Sequence, residues 1–326
     1  MKLCTIVGAR PQFIKATMVS SAIRSICTEV LVHTGQHYDY LMSGIFLDQL
    51  NIPYPAYDLD VGSSGHGVQT GQMLMKVEEV LLLEKPDGVL VYGDTNSTLA
   101  GALAASKLHL PVIHVEAGLR SYNRAMPEEI NRVLTDHVST LLFCPNQASV
   151  DNLAREGITT NVHKVGDVLH DAVLFHVETA ERLSRILTIL NLAPEGYYLA
   201  TVHRPQNTDD RERLVSILRT LDNVDTTVIL PLHPRTRKAV EQIGYQPLSN
   251  LRFVDPVSYF DMLVLEKNAL EIFTDSGGVQ REAYSLGIPY TVLRDETEWN
   301  LSTPNALGDG HAAQRIAAVI AGELCS

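Results

Sequence analysis

The sequence predicts an α/β protein of two Rossmann-like domains, each built on a parallel sheet. Short apolar, strand-like runs alternate with helical stretches from the first residues, which is the pattern of a parallel α/β sheet. The alternation lapses once, near residues 165–195, and then resumes. The chain has 326 residues, about two domains by the usual ~150-residue measure.

In the first half the clearest runs are residues 3–7, 29–34, 88–92, 112–115 and 141–144. After the lapse they are 198–202, 227–231, 251–254, 271–274 and 290–293. The lapse itself is a helical run over 170–190, closed by Asn191-Leu192-Ala193-Pro194-Glu195-Gly196, a turn-forming string.

Hydrophobic residues make up 45% and charged residues 20% of the chain, as in a globular enzyme and unlike an extended disordered segment. The net charge of −12, from 26 basic and 38 acidic residues, leaves no electrostatic footprint for nucleic acid or an anionic membrane. An anionic ligand must then be held by local cations and backbone amides. The opening Met1-Lys2-Leu3-Cys4-Thr5-Ile6-Val7-Gly8 is too short an apolar run for a signal peptide and reads as a strand, and no apolar run reaches membrane-spanning length. Cys4, Cys27, Cys144 and Cys325 show no metal-ligand spacing and read as reduced thiols of a cytoplasmic protein.

In open α/β sheets ligands bind beyond the carboxyl ends of the strands, so the residues after each strand are the candidates. Arg10 and Lys15 follow the first run, where either reaches a phosphate or is a solvated charge. Gln36 and His37 follow the second. Asp94 follows Gly93 and either caps the next helix or does chemistry. Glu116 stands between a buried-looking strand and a Gly turn, where burial and neighbours raise a carboxylate's pKa. Glu128 and Glu129 follow Pro127 at a helix start, where acidic residues favour the dipole by themselves. A third carboxylate beside Asp94 and Glu116 would allow acid and base work on opposite faces of a substrate.

In the second half, His203 ends a strand and suits a leaving diphosphate or a proton transfer; His233, in Leu232-His233-Pro234, is its main competitor. Ser276, Gly277 and Gly278 lie between a strand and a helix expected to begin near Val279. There, backbone N–H groups and the helix dipole meet an anion, or form an ordinary Gly-rich turn. Glu282, one turn further, would accept ribose hydroxyls. Neither a GxGxxG fingerprint nor a P-loop occurs, so nicotinamide and NTPase chemistry lack positive support.

Together these segments resemble the non-hydrolysing UDP-N-acetylglucosamine 2-epimerases, including the related 2-epimerases of UDP-2,3-diacetamido-2,3-dideoxyglucuronate. The likeness is nearly chain-long. It rests on Gly8-Ala9-Arg10-Pro11-Gln12-Phe13-Ile14-Lys15, Tyr92-Gly93-Asp94-Thr95-Asn96-Ser97-Thr98, His114-Val115-Glu116-Ala117-Gly118-Leu119-Arg120-Ser121, Met126-Pro127-Glu128-Glu129-Ile130-Asn131-Arg132 and Thr274-Asp275-Ser276-Gly277-Gly278-Val279-Gln280, in the family's order.

The resemblance implies a glycosyltransferase-B-like fold with the ligand cleft between its domains, usually as a homodimer. It divides the chain into 1–167, carrying the catalytic carboxylates, 168–308, binding UDP, and 309–326, a helix packing back on the first domain. It implies UDP contacts from Arg10, Lys15, His203, Ser276, Gly277, Gly278 and Glu282, and catalysis by Asp94, Glu116, Glu128 and His203. Gln36 and His37 become a sugar or regulatory position. No metal and no cofactor are implied. The implied reaction is reversible C2 epimerisation of UDP-N-acetylglucosamine to UDP-N-acetylmannosamine by elimination and re-addition of UDP, supplying cell-surface polysaccharide precursors. The alternatives are the diacetamido uronate as substrate, a UDP-sugar glycosyltransferase of the same fold, and a catalytically dead UDP-sugar sensor. One departure stands out: after Trp299, Asn300-Leu301-Ser302-Thr303-Pro304-Asn305-Ala306-Leu307 runs directly into Gly308-Asp309-Gly310, where the family pattern has room for a further strand and helix.

Overall fold

β1 (Lys2–Val7) is buried from Leu3 onward and lies inside a seven-stranded parallel sheet in the computed structural model. The structure describes residues 1–36, 50, 52, 54–294, 298–299, 301–302 and 305–324. Helices cover both faces of such a sheet, so its strands read as continuous apolar runs rather than alternating ones. β4 (Gly88–Tyr92), β5 (Val112–Val115) and β6 (Leu141–Cys144) are accordingly buried at every residue.

The chain divides into two compact units. Unit 1 is Met1–Ala172 with Ser302–Ser326, and unit 2 is Val173–Leu301. Unit 1 has the strand order β3-β2-β1-β4-β5-β6-β7, where β2 is Thr28–His33, β3 Tyr57–Asp58 and β7 Val162–Lys164. The chain moves outward from β1 in one direction, then restarts at β4 and moves outward in the other. The switch point therefore lies between β1 and β4, where a doubly wound sheet opens its ligand crevice. Five helices connect these strands among the described residues: α1 (Arg10–Ile23), α2 (His66–Glu84), α3 (Asn96–Lys107), α4 (Pro127–Val138) and α5 (Gln147–Arg155).

Unit 2 repeats the plan with five parallel strands in the order β10-β9-β8-β11-β12. They are β8 (Tyr198–Thr201), β9 (Val228–Pro231), β10 (Leu251–Val254), β11 (Ile272–Thr274) and β12 (Tyr290–Val292). Its switch point lies between β8 and β11. The helices of this unit are α7 (Ile186–Leu190), α8 (Pro205–Thr208), α9 (Arg211–Asp222), α10 (Pro234–Ile243), α11 (Tyr259–Lys267) and α12 (Gly277–Leu286), after α6 (Val168–Leu183), in which the chain passes from unit 1 to unit 2. Under α11 the buried His176 ring packs on Phe175, Tyr259 and Phe260, and burial pushes its pKa down to about 4. β12 is an edge strand with Thr291 exposed.

The unit boundaries fall at 172 and 301 rather than at the expected 167 and 308, for identifiable reasons. The first turn of α6 is tied into unit 1 by the Asp171 carboxylate, which accepts from the Ala313 amide at 2.8 Å near the start of α13 (Ala312–Leu324). The segment before α13 is tied in the same way, with the Asp167 amide donating to the Leu307 carbonyl at 2.8 Å. α13 itself packs on α1. The single helix expected over 170–190 is two helices, because the Ser184 hydroxyl turns to Asp261 at 2.5 Å and to the Ile186 amide where the α-helical ladder would continue.

Candidate active site

At the unit 1 switch point two loops are stitched together by one side chain. Gln12, in the first turn of α1, accepts from the Gly8 and Ala9 amides at 2.8 and 3.0 Å through Oε1. Its amide nitrogen donates to the Tyr92 carbonyl at 2.9 Å and to the Thr95 and Thr98 hydroxyls. The loops after β1 and β4 thus form one rigid floor. Arg10 begins α1 at its rim, half-buried.

Lys15 and Glu116 meet on that floor as a buried ion pair, Nζ to Oε2. The pair packs against Gly93: a Cβ there would lie 3.5 Å from Lys15 Nζ and 3.8 Å from Glu116 Oε2. The neighbour that the sequence left unnamed for Glu116 is thus a buried cation, Lys15. Glu116 also holds a left-handed backbone, φ 75, a strain of about 1–3 kcal/mol that concentrates at functional sites.

Asp94 is not the cap of α3. Thr95 is: its hydroxyl accepts from the Thr98 amide, and the Thr98 hydroxyl accepts from the Thr95 amide at 3.1 Å. Asp94 is thereby left for Arg132, whose guanidinium pairs with Oδ2 and also reaches Glu129 at 3.1 Å. Asn131 donates to the Asp94 carbonyl at 2.9 Å. Glu128 lies in the first turn of α4, three and four residues before these two, on the same helix face. It is half-buried and has no ion pair among the described residues. Its neighbour Glu129 has a separate task, accepting from the Ser121 amide and hydroxyl and the Tyr122 amide, each at 2.9 Å. Asp94 and Glu116 thus stand at the ends of the paired strands β4 and β5, with Arg132 and Lys15 as counter-ions, and Glu128 lies one turn before Arg132 on α4. The Gln36 carbonyl oxygen accepts from the Ser97 hydroxyl at 2.7 Å; His37 lies outside the described residues.

Behind the strand ends, His114 Nδ1 lies 2.7 Å from Asp136 Oδ1 and Nε2 lies 2.8 Å from the Gly93 carbonyl. Asp136 also accepts from the Gly118 amide at 3.1 Å and from Arg120 at 2.7 Å. Burial disfavours its charged form, but the His114 and Arg120 partners outweigh it and hold the carboxyl below its usual range.

Unit 2 gathers helix-start amides, cations and a histidine at its own switch point. Asp275, wholly buried after β11, accepts from the His203 amide at 2.9 Å, the Arg204 amide at 2.9 Å and the Asn207 side chain at 2.9 Å. The His203 ring Nδ1 sits 3.1 Å from its other oxygen. His203 is therefore oriented by a buried carboxylate, whereas His233 is exposed and spends Nδ1 accepting from the Arg235 amide at the start of α10. The two rings are 5.6 Å apart.

α12 begins at Gly277, two residues before the expected start, because Ser276 caps it by accepting from the Val279 amide at 3.3 Å. The Gly277 and Gly278 amides are then first-turn donors with no intrahelical acceptor. Glu282 is buried one turn further along α12. Two cations escaped the sequence reading. Arg204 has a buried Nε with no hydrogen-bond partner among the described residues. Arg294 has its pKa lowered by burial, against the pull of Glu298, with the Arg204 guanidinium adding to the depression. Among the described residues no group of three or more His, Cys, Asp or Glu side chains is arranged to hold a metal ion.

The two glycines are not equivalent. A Cβ on Gly277 would come within 2.9 Å of Glu298 Oε1 and 3.2 Å of Arg294 Nη2, while one on Gly278 meets only Ser276 Oγ, at 3.5 Å. Gly278→Asp should therefore fold normally and weaken UDP binding by at least ~10-fold, about 1.4 kcal/mol for a like charge at the helix N-terminus. Unchanged affinity by calorimetry would remove the diphosphate from this helix.

The sequence pattern of the UDP-N-acetylglucosamine 2-epimerase family matches residues 22–303. The chain belongs to that family. It is 53% identical to a UDP-N-acetylglucosamine 2-epimerase homolog of Methanococcus maripaludis, over 92% of this chain and 85% of the relative. It is 52% identical, over the same shares, to the UDP-2,3-diacetamido-2,3-dideoxy-D-glucuronate 2-epimerase of Pseudomonas aeruginosa. The crystal structure of Methanocaldococcus jannaschii UDP-GlcNAc 2-epimerase in complex with UDP-GlcNAc and UDP superposes with a TM-score of 0.92 at 40% identity, covering 99% of this chain and 100% of that one. The fold is thus the glycosyltransferase-B-like arrangement of these epimerases.

Proposed function

We propose that the protein epimerises C2 of UDP-N-acetylglucosamine, giving UDP-N-acetylmannosamine through elimination and re-addition of UDP. A C2 hydrogen with no adjacent carbonyl is too weakly acidic to be removed alone, so its loss is coupled to departure of UDP from C1, leaving a 2-acetamidoglucal. UDP then adds back while a proton arrives on the opposite face. One observation carries the reading: Asp94 and Glu116 stand at neighbouring strand ends with Arg132 and Lys15 beside them, and Glu128 lies one turn before Arg132 on α4. That set supplies more than one carboxyl group for acid and base work.

The departing diphosphate is assigned to unit 2, where the α12 N-terminus, Arg204, Arg294 and His203 offer amides and cations. Glu282 is assigned to the ribose. The same reading makes the protein a cytoplasmic homodimer serving polysaccharide precursor synthesis, and no described helix is long and apolar enough to cross a membrane. An exposed apolar stripe on unit 1, Val68, Met75 and Leu82 of α2 with Ile130 and Leu134 of α4, supports the second copy. The second substrate reading, the diacetamido uronate, is supported by the 52% identical Pseudomonas aeruginosa relative.

Turnover of UDP-N-acetylglucosamine in D₂O is expected to place deuterium at C2 of the inverted product. A transferase or a sensor leaves that carbon protonated. Exchange and inversion seen only with the diacetamido uronate would change the substrate and keep the chemistry.

A further inference from the structure

His114 is buried completely, one residue before the end of β5, and both of its ring nitrogens face acceptors. Nδ1 faces a carboxylate oxygen of Asp136 at 2.7 Å and Nε2 faces the Gly93 carbonyl at 2.8 Å. A carbonyl has no proton to give, and a neutral imidazole has only one N–H. Were Asp136 protonated it could donate to Nδ1, but its other oxygen already takes the Gly118 amide and the Arg120 guanidinium, a setting that favours the ionised form. Two N–H donors are therefore required. The charges also balance: Arg120 continues to Glu156 with two contacts of 2.7 Å, so an imidazolium completes an alternating row of two cations and two anions in a place where an unpaired charge is costly.

Two neighbouring members of this row, His114 and Asp136, meet the backbone of the proposed catalytic loops. Gly93, whose carbonyl receives Nε2–H, has φ 64 and directly precedes Asp94. Gly118, whose amide donates to Asp136, has φ 79 and lies two residues after Glu116, itself at φ 75. Three left-handed residues in two loops need outside support to persist.

We propose that His114, held as a buried imidazolium by Asp136, is the positioning residue that locks the Asp94 and Glu116 loops in register with each other. The inference rests on the epimerase reading for its kinetic consequence, though not for the protonation state. His114 touches no substrate in this scheme; it acts through the Gly93 carbonyl, and Asp136 through the Gly118 amide. The groups facing the network are Asp136 from α4, Arg120 from the loop after β5, Glu156 after α5 and the Cys144 thiol at the end of β6, which burial keeps neutral. The Lys15–Glu116 pair packs against the α-carbon of Gly93, and Asp94 is paired with Arg132.

The test begins with the full chain labelled with ¹⁵N-histidine, the His114 signals being those lost in His114→Gln. Both ring nitrogens should carry protons at pH ~7, as the two facing acceptors require. A bare ring nitrogen overturns the proposal. Asp136→Asn keeps the shape and removes the anion, so kcat for C2 exchange should fall on the order of 10²-fold through misplaced groups, with KM and UDP affinity near wild type. A folded Asp136→Asn protein with wild-type kcat also overturns it. If that variant does not fold, the wild-type spectrum still decides. If the wild-type chain exchanges C2 of neither sugar, the epimerase reading fails, and the spectrum alone decides whether the locked imidazolium stands.

Discussion

Glu116→Gln is expected to abolish most C2 chemistry while sparing the nucleotide. The amide keeps the shape of the side chain but accepts no proton, so C2 exchange and epimerisation should fall together on the order of 10²–10⁴-fold. UDP affinity should stay near wild type, because the donors proposed for the diphosphate belong to α12 and its neighbours in unit 2. A stability cost follows from the same geometry. Lys15 and Glu116 are both buried and paired, and removing one partner of a buried pair leaves an uncompensated charge, worth about 3–5 kcal/mol. Adding Lys15→Met should recover much of that loss without returning activity. The double variant also settles what Lys15 does: if it serves a phosphate as well as Glu116, UDP affinity drops when it is removed. Denaturant midpoints, calorimetry with UDP and exchange rates in D₂O read the three effects separately. Retained exchange in Glu116→Gln would mean that Asp94 or Glu128 is the base.

The fold was legible because parallel strands buried on both faces leave uninterrupted apolar runs. β4, β5 and β6 begin and end where those runs do. β3 and β7 escaped because two and three half-exposed residues at a sheet edge carry no pattern. The strand-end positions of the candidate residues Asp94, Glu116, His203 and Ser276 were legible, because each follows an apolar run. What was not legible is who pairs with whom. Whether Asp94 caps α3 depends on Thr95 taking that role, and its partner Arg132 is 38 residues away. Asp136 is 22 residues from His114 and looks in sequence like one more polar residue of an amphipathic helix. Arg204 and Arg294 belong to no motif, and only folding brings them close enough for one to depress the other's pKa.

Asp275→Asn should cost about as much stability as Glu116→Gln and should also disable the diphosphate end of the site. The Asp275 carboxylate is the shared acceptor for the His203 and Arg204 amides, the Asn207 side chain and the His203 ring. Asparagine offers one acceptor and turns an NH₂ toward donors, leaving buried polar groups unsatisfied at about 1–3 kcal/mol each, or roughly 3–5 kcal/mol in all. The pH dependence has a definite sign. Burial opposes ionisation of Asp275, but the His203 and backbone partners prevail and lower its pKa. Its contribution is then fully present above the unfolded carboxyl value of about 3.9 and is lost as pH falls through the lower folded value. The stability gap between wild type and Asp275→Asn should be flat near neutrality and should close only below pH ~4. In function, the ring of His203 loses its anchor while His233, exposed and engaged with the Arg235 amide, stays as it was. An activity loss in Asp275→Asn comparable to His203→Ala, with His233→Ala near wild type, assigns the leaving diphosphate to His203; the reverse order assigns it to His233.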